Sequence, residues 1–107
     1  MPKWRVTADE RVVEDLRALG RMEARLIFKA AVERLEGDPL AEARNLKTLR
    51  PNPVAQRELR LFGVYRVLFN VEESQRLVRI SVVGLKRGDS LIVRGERFDA
   101  HASDSVE

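Results

Sequence analysis

Two hydrophobic periodicities divide the chain. Before residue 40 apolar positions recur at helical spacing; beyond residue 57 they alternate as in strands. Thr7-Ala8-Asp9-Glu10 has the spacing of a capping box and predicts a helix start at Thr7. Val12, Val13, Leu16 and Leu19 continue that helix and Gly20 stops it. Met22, Leu26, Ala30 and Leu35 mark the apolar stripe expected of a second helix, ended by Gly37-Asp38-Pro39. So short a connection predicts a helical hairpin. Leu40 to Leu49 has room for one more helical turn, and Pro51-Asn52-Pro53 forces a loop.

The second half reads as strands. Leu59 to Phe62 is a short one, and Val64 to Val71 is the clearest. In it Tyr65, Val67, Phe69 and Val71 share one face while Arg66 points to the other. After the polar turn Glu72-Glu73-Ser74-Gln75, Leu77 to Val83 returns with Val78, Ile80 and Val82 on the core face. Leu91 to Phe98 predicts a last strand bent at Gly95. Trp4-Arg5-Val6 predicts a short first strand. The expected order β-α-α-β-β-β-β is that of an α+β fold in two layers, a helix hairpin packed on one face of a largely antiparallel sheet. Residues 1–98 form the domain, and residues 99–107, which include His101, read as a polar, frayed tail.

Composition narrows the chemistry. At 107 residues one core is expected, large enough to need no disulfide or metal staple. Cysteine is absent and His101 is the single histidine. Thiolate nucleophiles, paired-histidine sites and Cys/His metal centres are therefore set aside, and no cofactor is expected. No apolar run is long enough to span a bilayer and Met1-Pro2-Lys3-Trp4 does not open a signal peptide, so a cytoplasmic protein without membrane contact is expected.

The net charge of +3 hides an uneven distribution. Residues 1–40 balance 8 basic against 8 acidic side chains, whereas residues 41–98 carry 12 against 6. Most of that excess is arginine, whose planar fork suits phosphate. The structural alternative is a solvated sheet face on which Arg57, Arg60 and Arg66 have Glu58 as a partner. Trp4 and Phe98 read as packing residues, Tyr65 as a core residue with a satisfied hydroxyl, and Gly84 and Gly88 lack the strand-to-helix context of a phosphate loop.

The element order, the run from Arg57 to Phe69 containing Tyr65-Arg66-Val67-Leu68-Phe69, the preceding Asn45-Leu46-Lys47-Thr48-Leu49, and the later Val82-Val83-Gly84-Leu85-Lys86-Arg87 together resemble the RelE/ParE superfamily of toxins from bacterial toxin-antitoxin modules. The resemblance spans nearly the whole chain. It implies a type II toxin neutralised by a cognate antitoxin, expected to be acidic and partly disordered alone. It also implies one of two targets: mRNA cut on the ribosome, which inhibits translation, or DNA gyrase. The toxin-antitoxin complex would bind promoter DNA only through the antitoxin.

In the ribonuclease reading the resemblance assigns Arg66 to phosphate charge stabilisation and Lys86 or Arg87 to a phosphate clamp. Lys47 becomes a candidate general base, because neighbouring guanidinium groups favour its neutral form. Arg57 and Arg60 are expected to complete an RNA-binding patch. Metal-free cleavage needs these roles: a base for the 2′-hydroxyl, cations for the charged phosphorane and an acid for the leaving oxygen. Several ribosome-dependent members carry a tyrosine shortly after the basic pair, where this chain reads Gly88-Asp89-Ser90-Leu91-Ile92. A gyrase inhibitor, or a degenerate toxin that only binds its antitoxin, would not need that tyrosine.

Overall fold

The computed structural model describes residues 3–100, so His101 and the end of the expected tail lie outside the described residues. The chain runs β1 (Arg5–Ala8), α1 (Arg11–Leu19), α2 (Arg21–Gly37), β2 (Leu46–Thr48), β3 (Arg57–Leu61), β4 (Tyr65–Glu72), β5 (Leu77–Arg87), β6 (Ser90–Val93) and β7 (Glu96–Phe98), with a 3₁₀ turn at Glu73–Gln75. Two helices pack on a seven-stranded, mostly antiparallel sheet, the α+β architecture expected from the element order. Strands β2 to β7 are neighbours in sequence order, and β1 joins β5 in the one parallel pair.

β5 organises the molecule. One edge pairs with β4 along most of its length; the other is shared by β1, opposite Leu77 to Ile80, and β6, opposite Leu85 to Arg87. Between these two partners the backbone of β5 has no strand beside it. The fully buried Asp15 of α1 fills part of this gap: its Oδ2 accepts the Val83 N–H at 3.0 Å. Its Oδ1 lies 3.1 Å from Nε of Arg94, in the turn between β6 and β7. An unpaired amide at such a site would cost about 1–3 kcal/mol, so Asp15 couples helix, central strand and C-terminal hairpin.

The main core lies between helices and sheet, around Val12, Ile27, Leu35, Leu59, Val67 and Phe69. A second cluster of Ala55, Leu68, Val82 and Val93, with Leu91 and Phe98 against it, lies on the opposite face. That face is thus not simply solvated, as a strict two-layer arrangement would leave it.

Local expectations changed where tertiary pairing intervened. Thr7 does not cap α1, because parallel pairing with Arg79 holds it in β1; the helix starts at Arg11, and Glu10 at the N-cap makes no side-chain cap. The buried stripe of α2 is Ile27, Ala31 and Leu35, whereas Met22 and Leu26 are 72% and 57% exposed. The two apolar series are offset by one residue, and helix rotation against the sheet chooses between them. Within residues 40–49 a strand, β2, forms where a helical turn had room, because Leu46 docks opposite Leu59. A β-bulge leaves Ser81 unpaired opposite β4, so Val82 faces away from Ile80 and Val83 takes its place over the main core. The last strand is two strands, folded at Arg94-Gly95, both with positive φ. Among the described residues no helix is long and apolar enough to cross a membrane.

Candidate functional site: the helix-free face of the sheet

Strand parity sorts the candidate residues. Cross-strand partners share a face. Lys47 lies opposite Glu58, Glu58 opposite Leu68, and Leu68 opposite Val82. One row further along, Arg60 lies opposite Arg66, and Arg66 opposite Gly84. Lys86, two residues beyond Gly84, has the same parity and donates its backbone N–H to the Val64 carbonyl at 2.7 Å. Lys47, Glu58, Arg60, Arg66 and Lys86 thus share the face away from the helices.

Arg57 and Arg87 have the other parity and do not join this group. Arg57 pairs with Phe69 on the helix side and is only 5% exposed. Its guanidinium donates to the carbonyls of Pro39 and Ala41 and to Oε2 of Glu42, the latter two at 2.8 Å. It holds down the segment after α2, with its hydrogen-bonding directions turned away from solvent. The expected RNA-binding role of Arg57 is therefore corrected to a structural one: residues 57 and 60, three apart on one strand, must face opposite ways. Arg87 is exposed, has the parity of Leu85 and Tyr65, and stands at the end of β5 opposite Ser90.

Arg66 is the most constrained cation of the face, 8% exposed. Its Nη1 donates to the carbonyls of Gly63 at 3.0 Å and Tyr65 at 3.1 Å. Burial pushes its pKa below the ordinary arginine value; the Glu58 carboxylate opposes that shift and the Arg60 guanidinium adds to it. An arginine so placed stays protonated in a protein, but two like charges directly across a strand pair repel. The Arg60 Nε to Glu58 Oε1 ion pair, at 3.0 Å, relieves part of that repulsion.

Glu58 matters more than sequence reasoning gave it credit for. It appeared there only as a charge partner, yet its mostly buried carboxylate lies between Lys47 and the Arg60–Arg66 pair. Its even spacing from Arg60 was the available signal. Glu58 and Lys86 both line a cleft of about 330 Å³ whose apolar surface includes Leu68, Leu91 and Phe98. Asp89 and Arg97 line it as well. Phe98 has the Arg11 guanidinium 5.4 Å from its ring centre, so the ring packs as expected while also bordering the cleft. Gly84 is required here, because a Cβ would collide with the Ile92 carbonyl and Val93.

The expected tyrosine has no substitute of its own kind on this face. Tyr65 is half-buried against the main core. The ionisable side chains available are carboxylates and cations: Glu58, Asp89, Lys47 and Lys86. Among the described residues no group of three or more acidic or histidine side chains is placed to hold a metal ion.

No protein-family model matches the sequence, and no curated protein does. Solved structures do. The toxin-antitoxin complex RelBE2 from Mycobacterium tuberculosis contains a chain with TM-score 0.68 and 24% identity, over 80% of this chain and 94% of that one. The archaeal RelE-RelB complex from Pyrococcus horikoshii gives 0.61 and 24%, over 80% and 97%. At this identity both speak to the fold alone. A mutant of the Escherichia coli toxin RelE with two arginines replaced by alanine, in the free state, gives TM-score 0.56 with 32% identity over 77% of this chain and 82% of that one. With that identity sustained across the shared fold, the chain belongs to the RelE family of toxins.

Proposed function

We propose that this toxin is a metal-independent endoribonuclease that cuts mRNA on the ribosome and so inhibits translation. The observation that carries the reading is the gathering of Arg60, Arg66 and Lys86 with the Glu58 carboxylate on the one sheet face that no helix covers. In this mechanism Glu58 takes the proton of a ribose 2′-hydroxyl, whose oxygen attacks the adjacent phosphorus. Arg66 and Arg60 stabilise the added charge on the phosphorane. The bond to the 5′-oxygen breaks, leaving a 2′,3′-cyclic phosphate, and the Lys86 ammonium supplies the proton that makes the 5′-hydroxyl. Lys47, the cross-strand neighbour of Glu58, adds positive charge beside it.

Antitoxin complexes among the similar structures support a protein antitoxin as partner. The exposed cations of the helix-free face favour an acidic one, and contact with promoter DNA is assigned to that antitoxin. The cytoplasm, where mRNA is translated, is the compartment this activity requires.

The test is induction of the chain in a bacterial host, followed by primer extension on a translated and an untranslated reporter mRNA. Cuts confined to translated codons and lost in Arg66→Ala are expected. Growth arrest with intact mRNA would overturn the nuclease reading and move the assay to gyrase supercoiling.

A further inference from the structure

Three non-glycine residues among those described have positive φ: Phe62 at 51°, Arg76 at 48° and Arg94 at 53°. Two have an evident reason. Arg94 reaches Asp15 from the β6–β7 turn, and Arg76 ends the 3₁₀ turn with its guanidinium 4.5 Å from the centre of the Trp4 ring. Phe62 sits in the β3–β4 hairpin turn as Arg94 sits in the β6–β7 one, each followed by a glycine with φ of 80°, but Phe62 makes no comparable ion pair or ring contact. Its ring belongs to neither hydrophobic cluster and it is 61% exposed, the largest exposure of any aromatic residue among those described. A bulky side chain in the left-handed region is an outlier, since glycine or asparagine takes such turn positions at lower cost. Leaving an aromatic ring in water also forfeits the stabilisation its burial would bring.

The position of the turn gives the ring a use. Phe62-Gly63-Val64 connects β3 to β4 and is hydrogen-bonded from two sides: the Arg66 guanidinium donates to the Gly63 carbonyl, and the Lys86 backbone N–H donates to that of Val64. The residues that hold the ring's turn are thus two assigned to the cleavage step, Arg66 to the phosphorane and Lys86 to the leaving oxygen. An exposed ring on a turn tethered to Arg66 and Lys86 matches the layout of a nucleotide, whose base lies one sugar away from its phosphate. Single-stranded RNA offers unstacked bases for aromatic side chains to receive. The flanking positive charge favours a polyanion over an apolar protein surface.

We propose that Phe62 is a stacking platform for the nucleobase flanking the phosphate that Arg66 stabilises, presented there by the β3–β4 turn. The inference rests on the ribonuclease reading and extends it from the reacting phosphate to a base subsite.

The experiment compares the unaltered toxin with Phe62→Asn, Phe62→Tyr and Arg66→Ala in single-turnover cleavage of mRNA on programmed ribosomes, alongside thermal melting. Asparagine tolerates the left-handed turn, so Phe62→Asn should melt a few degrees higher while cutting about tenfold more slowly at sub-saturating toxin. Phe62→Tyr should keep its activity within about twofold, because it keeps the π-face. On mRNA carrying an abasic sugar at the flanking nucleotide, tested on each side of the cut in turn, Phe62→Asn should lose its disadvantage on one side.

A lower melting temperature for Phe62→Asn would show that the ring packs after all and overturn the proposal. Normal cleavage by Phe62→Asn where Arg66→Ala is inactive would overturn it and leave the nuclease reading standing. A penalty that persists on both abasic mRNAs would assign the ring to the ribosome or another protein, and also overturn it. If the unaltered toxin cuts no mRNA, the nuclease reading fails first, and this inference with it.

Discussion

Arg57 and Arg66 are both buried arginines of the same antiparallel pair, but they face opposite ways. Arg57, on the helix side, has acceptors for both terminal nitrogens, two carbonyls and the Glu42 carboxylate, and only its buried Nε goes without a partner. Arg66, on the free side, has two turn carbonyls, a like-charged neighbour across the strand and a carboxylate that is already paired with that neighbour. The first arrangement is electrostatically closed and serves stability. The second has no carboxylate of its own. Burial alone does not tell the two apart; the unmet demand of the charge does.

Mutations test this contrast, beginning with the largest effect. Arg66→Ala should reduce mRNA cleavage by about 10²- to 10³-fold with only a modest change in melting temperature, measured by single-turnover assay and calorimetry. Arg57→Ala should do the reverse: a loss of roughly 3 kcal/mol of stability, as partners of a buried charge are left unsatisfied, with cleavage retained below the lowered melting point. Denaturant titration beside the same assay separates the two. Glu58→Gln, keeping size but removing the proton acceptor, should lower the cleavage rate by about 10²-fold at unchanged ribosome binding. An equal rate would transfer the base role to Lys47. Arg87→Ala should change cleavage by less than about twofold, as expected of an exposed side chain outside the cationic face; a larger loss would show that the twist at the end of β5 brings it around to the RNA.

Much of the fold could be read from residue types. The change from helical to alternating periodicity near residue 57 separates the helical and strand-rich halves, and Gly20 and Gly37 mark the two helix ends. What escaped depended on partners distant in sequence. β2 is three residues long and exists because Leu46 meets Leu59. Thr7 has the spacing of a cap, but pairing with β5 extends β1 past it. The bulge at Ser81 has no local signature, yet it exchanges the faces of Val82 and Val83. For the site, Lys47, Arg60, Arg66 and Lys86 reach one face as even spacing and register allow, whereas Arg57 is excluded by the same parity rule. Asp15 carried no legible signal. A carboxylate on the buried side of a helix reads as an error in the apolar pattern until the unpaired amide of Val83 is seen beside it.

The shared edge of β5 also sets how the molecule breathes. The β6–β7 hairpin is attached to β5 through three residue pairs, while β4 is attached along nearly its whole length and sandwiched by β3 on its other side. Opening the hairpin breaks few backbone bonds, the ion pair from Arg94 to Asp15, the Arg11–Phe98 contact and the packing of Val93, Leu91 and Phe98 in the second cluster. Its amide hydrogens should therefore exchange with solvent through local opening, well before those at the middle of β4. The cleft beside Lys86 thus has its floor, Leu68, on the doubly paired β4 and its lip, Leu91 and Phe98, on the hairpin held by fewer pairs.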